Sequence, residues 1–187
     1  MGQNWSIDKL QNAWHLASRL HKGQKYGGSA KGEKIEYINH IGSVVFEVLN
    51  ASNMSSDFNT ELAMHCAILH DSIEDTDFDY DQVNELFGRQ IADGVSALTK
   101  NESFPGKKEM MLDSLSRIKQ QPKEVWAVKM ADRICNLYAP PYYWNNEKKA
   151  NYVQEAKLIY DHLHEGNEYL AERLQSKIEK YKSFIDS

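Results

Sequence analysis

Cysteine is almost missing from this 187-residue chain, with only Cys66 and Cys135 present. Both fall in helical patterns with apolar neighbours. That predicts two buried free thiols, excludes a disulfide framework and fits a reducing cytoplasm. Proline is also scarce, and Pro105, Pro122, Pro140 and Pro141 all lie at breaks or starts of helical patterns. No apolar run is long enough to span a bilayer, so no membrane is expected as a partner. The start, Met1-Gly2-Gln3-Asn4-Trp5, lacks the basic and apolar pattern of a secretory signal. There is no excess of positive charge either. Net charge is −5 with both signs interspersed, and no basic face stands out, which argues against nucleic acid as a partner. Internal repeats and low-complexity segments are absent.

What remains is an ordinary globular composition, 41% hydrophobic and 26% charged, of a length that suits one domain over residues 1–187. The periodicity is helical nearly throughout. Residues 7–22 carry Ile7, Leu10, Trp14, Ala17 and Leu20, with Ser6 placed to cap them. Helices follow over 40–50, 60–76, 80–98 (broken near Gly88), 108–120, 122–138, 146–164 and 167–184. Pro122 suits the first turn of its helix. The fold class is therefore an all-α helical bundle. Residues 25–39, glycine-rich at first and extended near 35–38, are the one place for a short β-hairpin.

The stretch from Thr60 to Thr76 draws attention. It begins nearly all apolar, with Leu62, Ala63, Met64, Cys66, Ala67, Ile68 and Leu69, which reads as a helix buried in the middle of the domain. It ends in His70, Asp71, Glu74 and Asp75. On a continuous helix, spacings of three and four bring these side chains to one side of its last turn. Charge buried without compensation is costly, so such a group is paired or holds a cation. A second carboxylate, Asp132, sits on an apolar stripe with Val125, Val128 and Cys135, flanked by Lys129 and Asn136. Read alone, Asp132 pairs with Lys129 or Arg133. Beside His70-Asp71 it reads as a metal ligand, and His40, at an element boundary, is the natural fourth. Such a mixed nitrogen and oxygen set suits Mn²⁺, Fe²⁺, Co²⁺ or Zn²⁺. His65 reads as core or as support one turn before the site.

These residues resemble a known family. His40, then His70-Asp71, then Asp132 is the order of ligands in the HD-domain metal-dependent phosphohydrolases. His21-Lys22-Gly23-Gln24, Tyr37-Ile38-Asn39-His40, Leu69-His70-Asp71-Ser72-Ile73-Glu74-Asp75-Thr76, Phe87-Gly88 and Lys129-Met130-Ala131-Asp132-Arg133-Ile134-Cys135-Asn136-Leu137 narrow it to the hydrolase domain of RelA/SpoT proteins. With no synthetase segment in the sequence, the resemblance is to a stand-alone small alarmone hydrolase of single HD-type architecture. It implies removal of pyrophosphate from the 3′ position of guanosine tetra- or pentaphosphate, with Mn²⁺ or another divalent ion as cofactor. By position, His40, His70, Asp71 and Asp132 would hold the metal. Glu74 and Asp75 would orient and deprotonate the attacking water, and Asn136 would touch the nucleotide. Lys25, Tyr26 and Arg133 are further candidate substrate contacts. The implied partner is a small nucleotide in the cytoplasm, and a homo-oligomer is compatible with the sequence.

One corner departs from the family. Two residues after Gly-Gln the family usually has Arg, often followed by Lys, and that Arg packs on the purine. This chain has Tyr26-Gly27, and His40 is followed by Ile41 where the family commonly has Pro. Base preference, guanine or adenine, is therefore open. Two other readings compete: an HD-type nucleotidase acting on another nucleotide, and a non-catalytic nucleotide-binding sensor.

Overall fold

The computed structural model describes residues 5–185, so the amino-terminal residues Met1 to Asn4 read above for a targeting signal lie outside the described residues. Helix α1 (Ile7–Leu20) opens with the Ser6 hydroxyl accepting from the Lys9 amide. Strands β1 (Lys25–Gly27) and β2 (Lys34–Glu36) then form the expected antiparallel hairpin, with Tyr26 opposite Ile35. Helix α2 (Ile38–Asn53) starts two residues before the expected boundary, which puts His40 inside its first turn. Helix α3 (Thr60–Leu69) is capped by Asn59, whose side chain accepts from the Leu62 amide at 3.1 Å.

The sequence reading expected one helix over 60–76, and the structure corrects it. Helix α3 stops at Leu69, His70 and Asp71 form a turn, and a short α4 (Ser72–Asp75) follows. The cause is local. The Ser72 hydroxyl donates to the Leu69 carbonyl at 2.7 Å, and His70 Nδ1 lies 2.9 Å from the Ala67 carbonyl. Side chains here bond carbonyls at the end of the helix, so the regular pattern ends.

Helices α5 (Tyr80–Phe87) and α6 (Arg89–Leu98) are separated at Gly88, where φ is +87°, a backbone that favours glycine. An Asp79–Gln82 capping box starts α5. Next come α7 (Lys107–Ile118) and α8 (Lys123–Asn136), the latter beginning just after Pro122 rather than with it. The chain ends in α9 (Asn146–Leu163), a 3-10 turn through Gly166, and α10 (Glu168–Lys182). Among the described residues no helix is long and apolar enough to cross a membrane. Cys66 and Cys135 are both free and buried, as expected.

Helix α3 is the axis of the bundle. Every residue from Leu62 to Leu69 is buried, and α1, α2, α6 and α8 pack around it. His65 belongs to this core, with Nδ1 2.7 Å from the Glu61 carbonyl and its ring tilted against Phe87. Helices α3, α6 and α8 meet at Gly94, where an added Cβ would lie 2.8 Å from Cys66 Sγ and 3.0 Å from Val125 Cγ2. There is no room for a branched side chain. Gly94→Val should therefore cost about 1–3 kcal/mol by overpacking. In urea unfolding this should appear as a lower midpoint at unchanged slope; an unchanged midpoint would refute the tight packing.

Candidate metal centre

Three elements bring the acidic and histidine residues together. Helix α2 supplies His40 from its first turn, the turn after α3 supplies His70 and Asp71, and α8 supplies Asp132. His40, His70 and Asp132 each present one donor atom, and these atoms all lie within 4.8 Å of one another. His40 Nε2 is 3.3 Å from Asp132 Oδ1 and 3.9 Å from Asp71 Oδ2. Asp71 stands at the edge of this trio. Its Oδ2 is 2.9 Å from His70 Nε2 and accepts a hydrogen bond from the Tyr37 hydroxyl. Asp71, the expected ligand outside the trio, is thus beside both histidines but engaged by a tyrosine.

Whether the site suits a cation can be read from His70. It is 3% exposed, and its Nδ1 is committed to the Ala67 carbonyl. That bond points Nε2 at the carboxylates and leaves it as the ligating nitrogen of a neutral ring. Nε2 is buried and makes no aligned hydrogen bond, although an Asp71 oxygen is close. At 2.9 Å the two atoms can share a proton on the imidazole or face a common ion. Two imidazoles with carboxylates form a borderline donor set suited to a divalent transition ion.

The electrostatics agree. Burial by itself would push the Asp71 carboxyl up, but the adjacent His70 overrides it and holds Asp71 well below the usual carboxylate range. Asp132 is likewise buried yet held low, by Lys129 first and then by His40 and His70. Burial would lower His70, but Asp71, Asp132 and the Ala67 carbonyl raise it to about 9. Two ionised carboxylates in a half-closed hollow draw positive charge, as a proton on His70 or as a metal ion. Lys129 Nζ, 3.3 Å from Asp132 Oδ2, answers part of this need, so the pairing considered for Asp132 coexists with its place in the cluster. Asn136 Nδ2 donates to Asp132 Oδ1 at 2.5 Å and orients it.

The cluster borders a cavity of about 920 Å³. Glu74, Asp75, Asn136 and Arg133 all line it. Glu74 is fixed by Lys100, whose backbone N–H donates to Oε2 at 2.9 Å while its ammonium pairs with Oε1. Asp75 is more open and accepts one hydrogen bond, from Gln24 Nε2 at 2.8 Å. Arg133 lies over the Tyr152 ring at 4.1 Å and reaches Glu155 at 3.3 Å, with Nε and Nη1 buried and unbonded. Lys25 and Tyr26 are not among the lining residues. Lys25 pairs with Glu36, its cross-strand neighbour, at 2.6 Å, and Tyr26 packs edge-on against Tyr37.

The opposite wall is absent from the sequence reading. It is built by α9 and the segment before it, through Trp144, Lys148 and Tyr152. Lys148 sits 4.3 Å above the Trp144 ring, and Trp144 meets Tyr152 edge-on. The aromatic run Tyr142-Tyr143-Trp144 after two prolines was the available signal. Its meaning depended on α9 folding back across α8. Tyr37, too, was seen only as part of a motif, not as the donor to Asp71.

Comparison with known proteins agrees with this geometry. A guanosine-3′,5′-bis(diphosphate) 3′-pyrophosphohydrolase, MESH1, from Danio rerio is 27% identical over 166 residues, which cover 86% of this chain and 87% of that protein. The bifunctional (p)ppGpp synthase/hydrolase SpoT of Escherichia coli is 34% identical over 137 residues, 70% of this chain but 18% of that longer protein. A solved structure described as a metazoan orthologue of SpoT that hydrolyses ppGpp superposes with a TM-score of 0.80 at 24% identity, covering 95% of this chain and 97% of the other, which shows a shared fold. Residues 13–167 match the HD domain, and the chain therefore belongs to the HD-domain family.

Proposed function

We propose that this chain is a metal-dependent hydrolase that removes pyrophosphate from the 3′ position of guanosine tetra- or pentaphosphate, or of a closely related alarmone. The observation that carries this reading is the cluster of His40, His70 and Asp132, whose Asp132 lines a 920 Å³ cavity together with Asp71, Glu74, Asp75 and several basic side chains. The relatives named as 3′-pyrophosphohydrolases support it, since the alignment with one of them spans most of both chains.

In this reading His40, His70, Asp71 and Asp132 hold the ion, and Mn²⁺ is the proposed metal. A divalent ion in this position would lower the pKa of its water and offset charge on the phosphoryl oxygens. The protein's own groups do the rest. Water adds to the phosphorus attached to O3′, the bond from that phosphorus to O3′ breaks, and a proton reaches O3′ to give the nucleoside 3′-hydroxyl and free pyrophosphate. A carboxylate takes the proton from the water. Glu74 is held by the Lys100 ammonium and backbone amide, which makes it an anchor, and Asp75, held only by a neutral amide, is proposed to take the proton from the water. Lys100, Lys107 and Lys148, with Arg133, face the phosphates of the substrate, and Asn136 touches the nucleotide while steadying Asp132. Tyr26 is proposed to act on the base from outside the cavity. The chain is proposed to work as one domain in the cytoplasm.

A product assay tests the reading. With Mn²⁺ and guanosine tetraphosphate or its adenine analogue, the wild-type chain should release pyrophosphate. Release of orthophosphate would favour the nucleotidase reading. Failure to cleave either alarmone, with one ion bound per chain, would leave the family standing and overturn the substrate. The metal roles are tested separately. Chelation should abolish turnover and Mn²⁺ should restore it, while His70→Ala and Asp132→Ala should each lose stoichiometric Mn²⁺ in elemental analysis. Full turnover after chelation would refute a metal mechanism. For the carboxylates, Asp75→Asn should lower kcat by about 10²–10⁴-fold, the usual worth of a general base. Glu74→Gln should lower it less, and the reverse order in steady-state kinetics would exchange the two roles.

A further inference from the structure

His21 is 3% exposed at the end of α1 and is not one of the clustered ligands, yet it reaches both edges of the site. Its Nδ1 lies 2.6 Å from Gln24 Oε1, and Gln24 Nε2 donates to Asp75 Oδ2 at 2.8 Å. The direction of each bond follows from chemistry. A carboxylate accepts, so the Gln24 amide must turn its NH₂ toward Asp75. Its oxygen then faces His21, and His21 must donate from Nδ1. On its other side the imidazole stacks on Tyr37, with centroids 5.2 Å apart and planes 29° from parallel. Tyr37 in turn donates to Asp71 Oδ2 at 2.5 Å.

The backbone makes this arrangement stiff. Gly23 takes φ +80° and turns the chain, the Gln24 amide donates to the His21 carbonyl at 3.1 Å, and the Tyr37 amide donates to the Gln24 carbonyl at 2.9 Å. His21, Gln24 and Tyr37 therefore form one tied unit between α1, the hairpin and α2. Asp75, by contrast, is exposed, and an exposed aspartate samples several rotamers unless something selects one.

We propose that His21 is a positioning residue. Through Gln24 it fixes the rotamer of Asp75, and through Tyr37 it steadies Asp71, so that one buried imidazole sets both acidic groups relative to the ligand cluster. The proposal rests on the hydrolase reading of that site for its catalytic consequence, but not for its geometry. Positional error matters here, because a misplacement of about 1 Å can cost about 10²-fold in rate.

Three variants separate the parts. Gln24→Leu removes the link to Asp75. His21→Phe keeps a ring against Tyr37 but removes the donor. His21→Asn loses the ring but offers its Nδ2–H where Nδ1–H stood. With guanosine tetraphosphate and Mn²⁺, Gln24→Leu and His21→Phe should each lower kcat by about tenfold or more, with KM and bound Mn²⁺ unchanged. The double variant should be no worse than the worse single, and His21→Asn, which restores the donor but not the ring on Tyr37, should recover the part of the loss that passes through Gln24. An unchanged kcat in Gln24→Leu, or losses that multiply in the double variant, would overturn the proposal. So would a loss of bound Mn²⁺ in step with a fallen Tm, which is the mark of a merely structural role. A second measurement does not depend on turnover. In ¹⁵N-labelled wild-type protein the His21 Nδ1 proton should exchange slowly with water, and in Gln24→Leu it should exchange fast. If the wild-type chain cleaves no alarmone, the hydrolase reading fails while this signal still decides the positioning link. A fast-exchanging wild-type proton overturns the link whatever the substrate.

Discussion

Asp71 and Asp132 carry negative charge into the place where α2, the end of α3 and α8 meet, and much of the surrounding structure answers that charge. His40 and His70 lie against them, Lys129 and Asn136 reach Asp132, and the Tyr37 hydroxyl reaches Asp71. Each contact stabilises an ionised carboxylate that burial alone would disfavour. A divalent ion would complete the same task, so the demand for positive charge and the capacity to bind metal are one physical property.

The turn at His70-Asp71 is what makes the cluster geometrically feasible. On a continuous helix the side chains after Leu69 would follow the winding of α3. The turn lets His70 remain inside with its Nδ1 on the Ala67 carbonyl, while Asp71 swings toward Tyr37 and α4 carries Glu74 and Asp75 to the cavity. The Ser72 hydroxyl, bonded to the Leu69 carbonyl, is a small part with a large consequence. The two acids of α4 also end in different surroundings. One is locked to Lys100 and the other is held by a neutral amide.

Much of the molecule was legible in the order of its residues. Apolar spacing located the helices, Gly88 marked the break between α5 and α6, and the unbroken apolar stretch of α3 announced the axis of the bundle. The ligand types were legible too, since histidines and carboxylates beside apolar stripes need a partner wherever they fold. Less legible were the roles that depend on neighbours. Lys25, a candidate substrate contact by sequence, meets Glu36 across the hairpin, a neighbour that only β-pairing could supply. Arg133 kept its place on the cavity but rests on Tyr152, a residue of another helix.

The sequence by itself determined the helical class, the family resemblance and the chemical character of the site, because these follow from local periodicity and from the fixed donor properties of side chains. Only the tertiary structure decided where α3 would end, that Glu74 would pair with Lys100 and Asp75 with Gln24, and that Trp144 and Tyr152 would wall the cavity. Those outcomes depend on long-range packing and on competing hydrogen bonds, such as that of Gln24, in the loop after α1, to a carboxylate on α4, which no local pattern encodes.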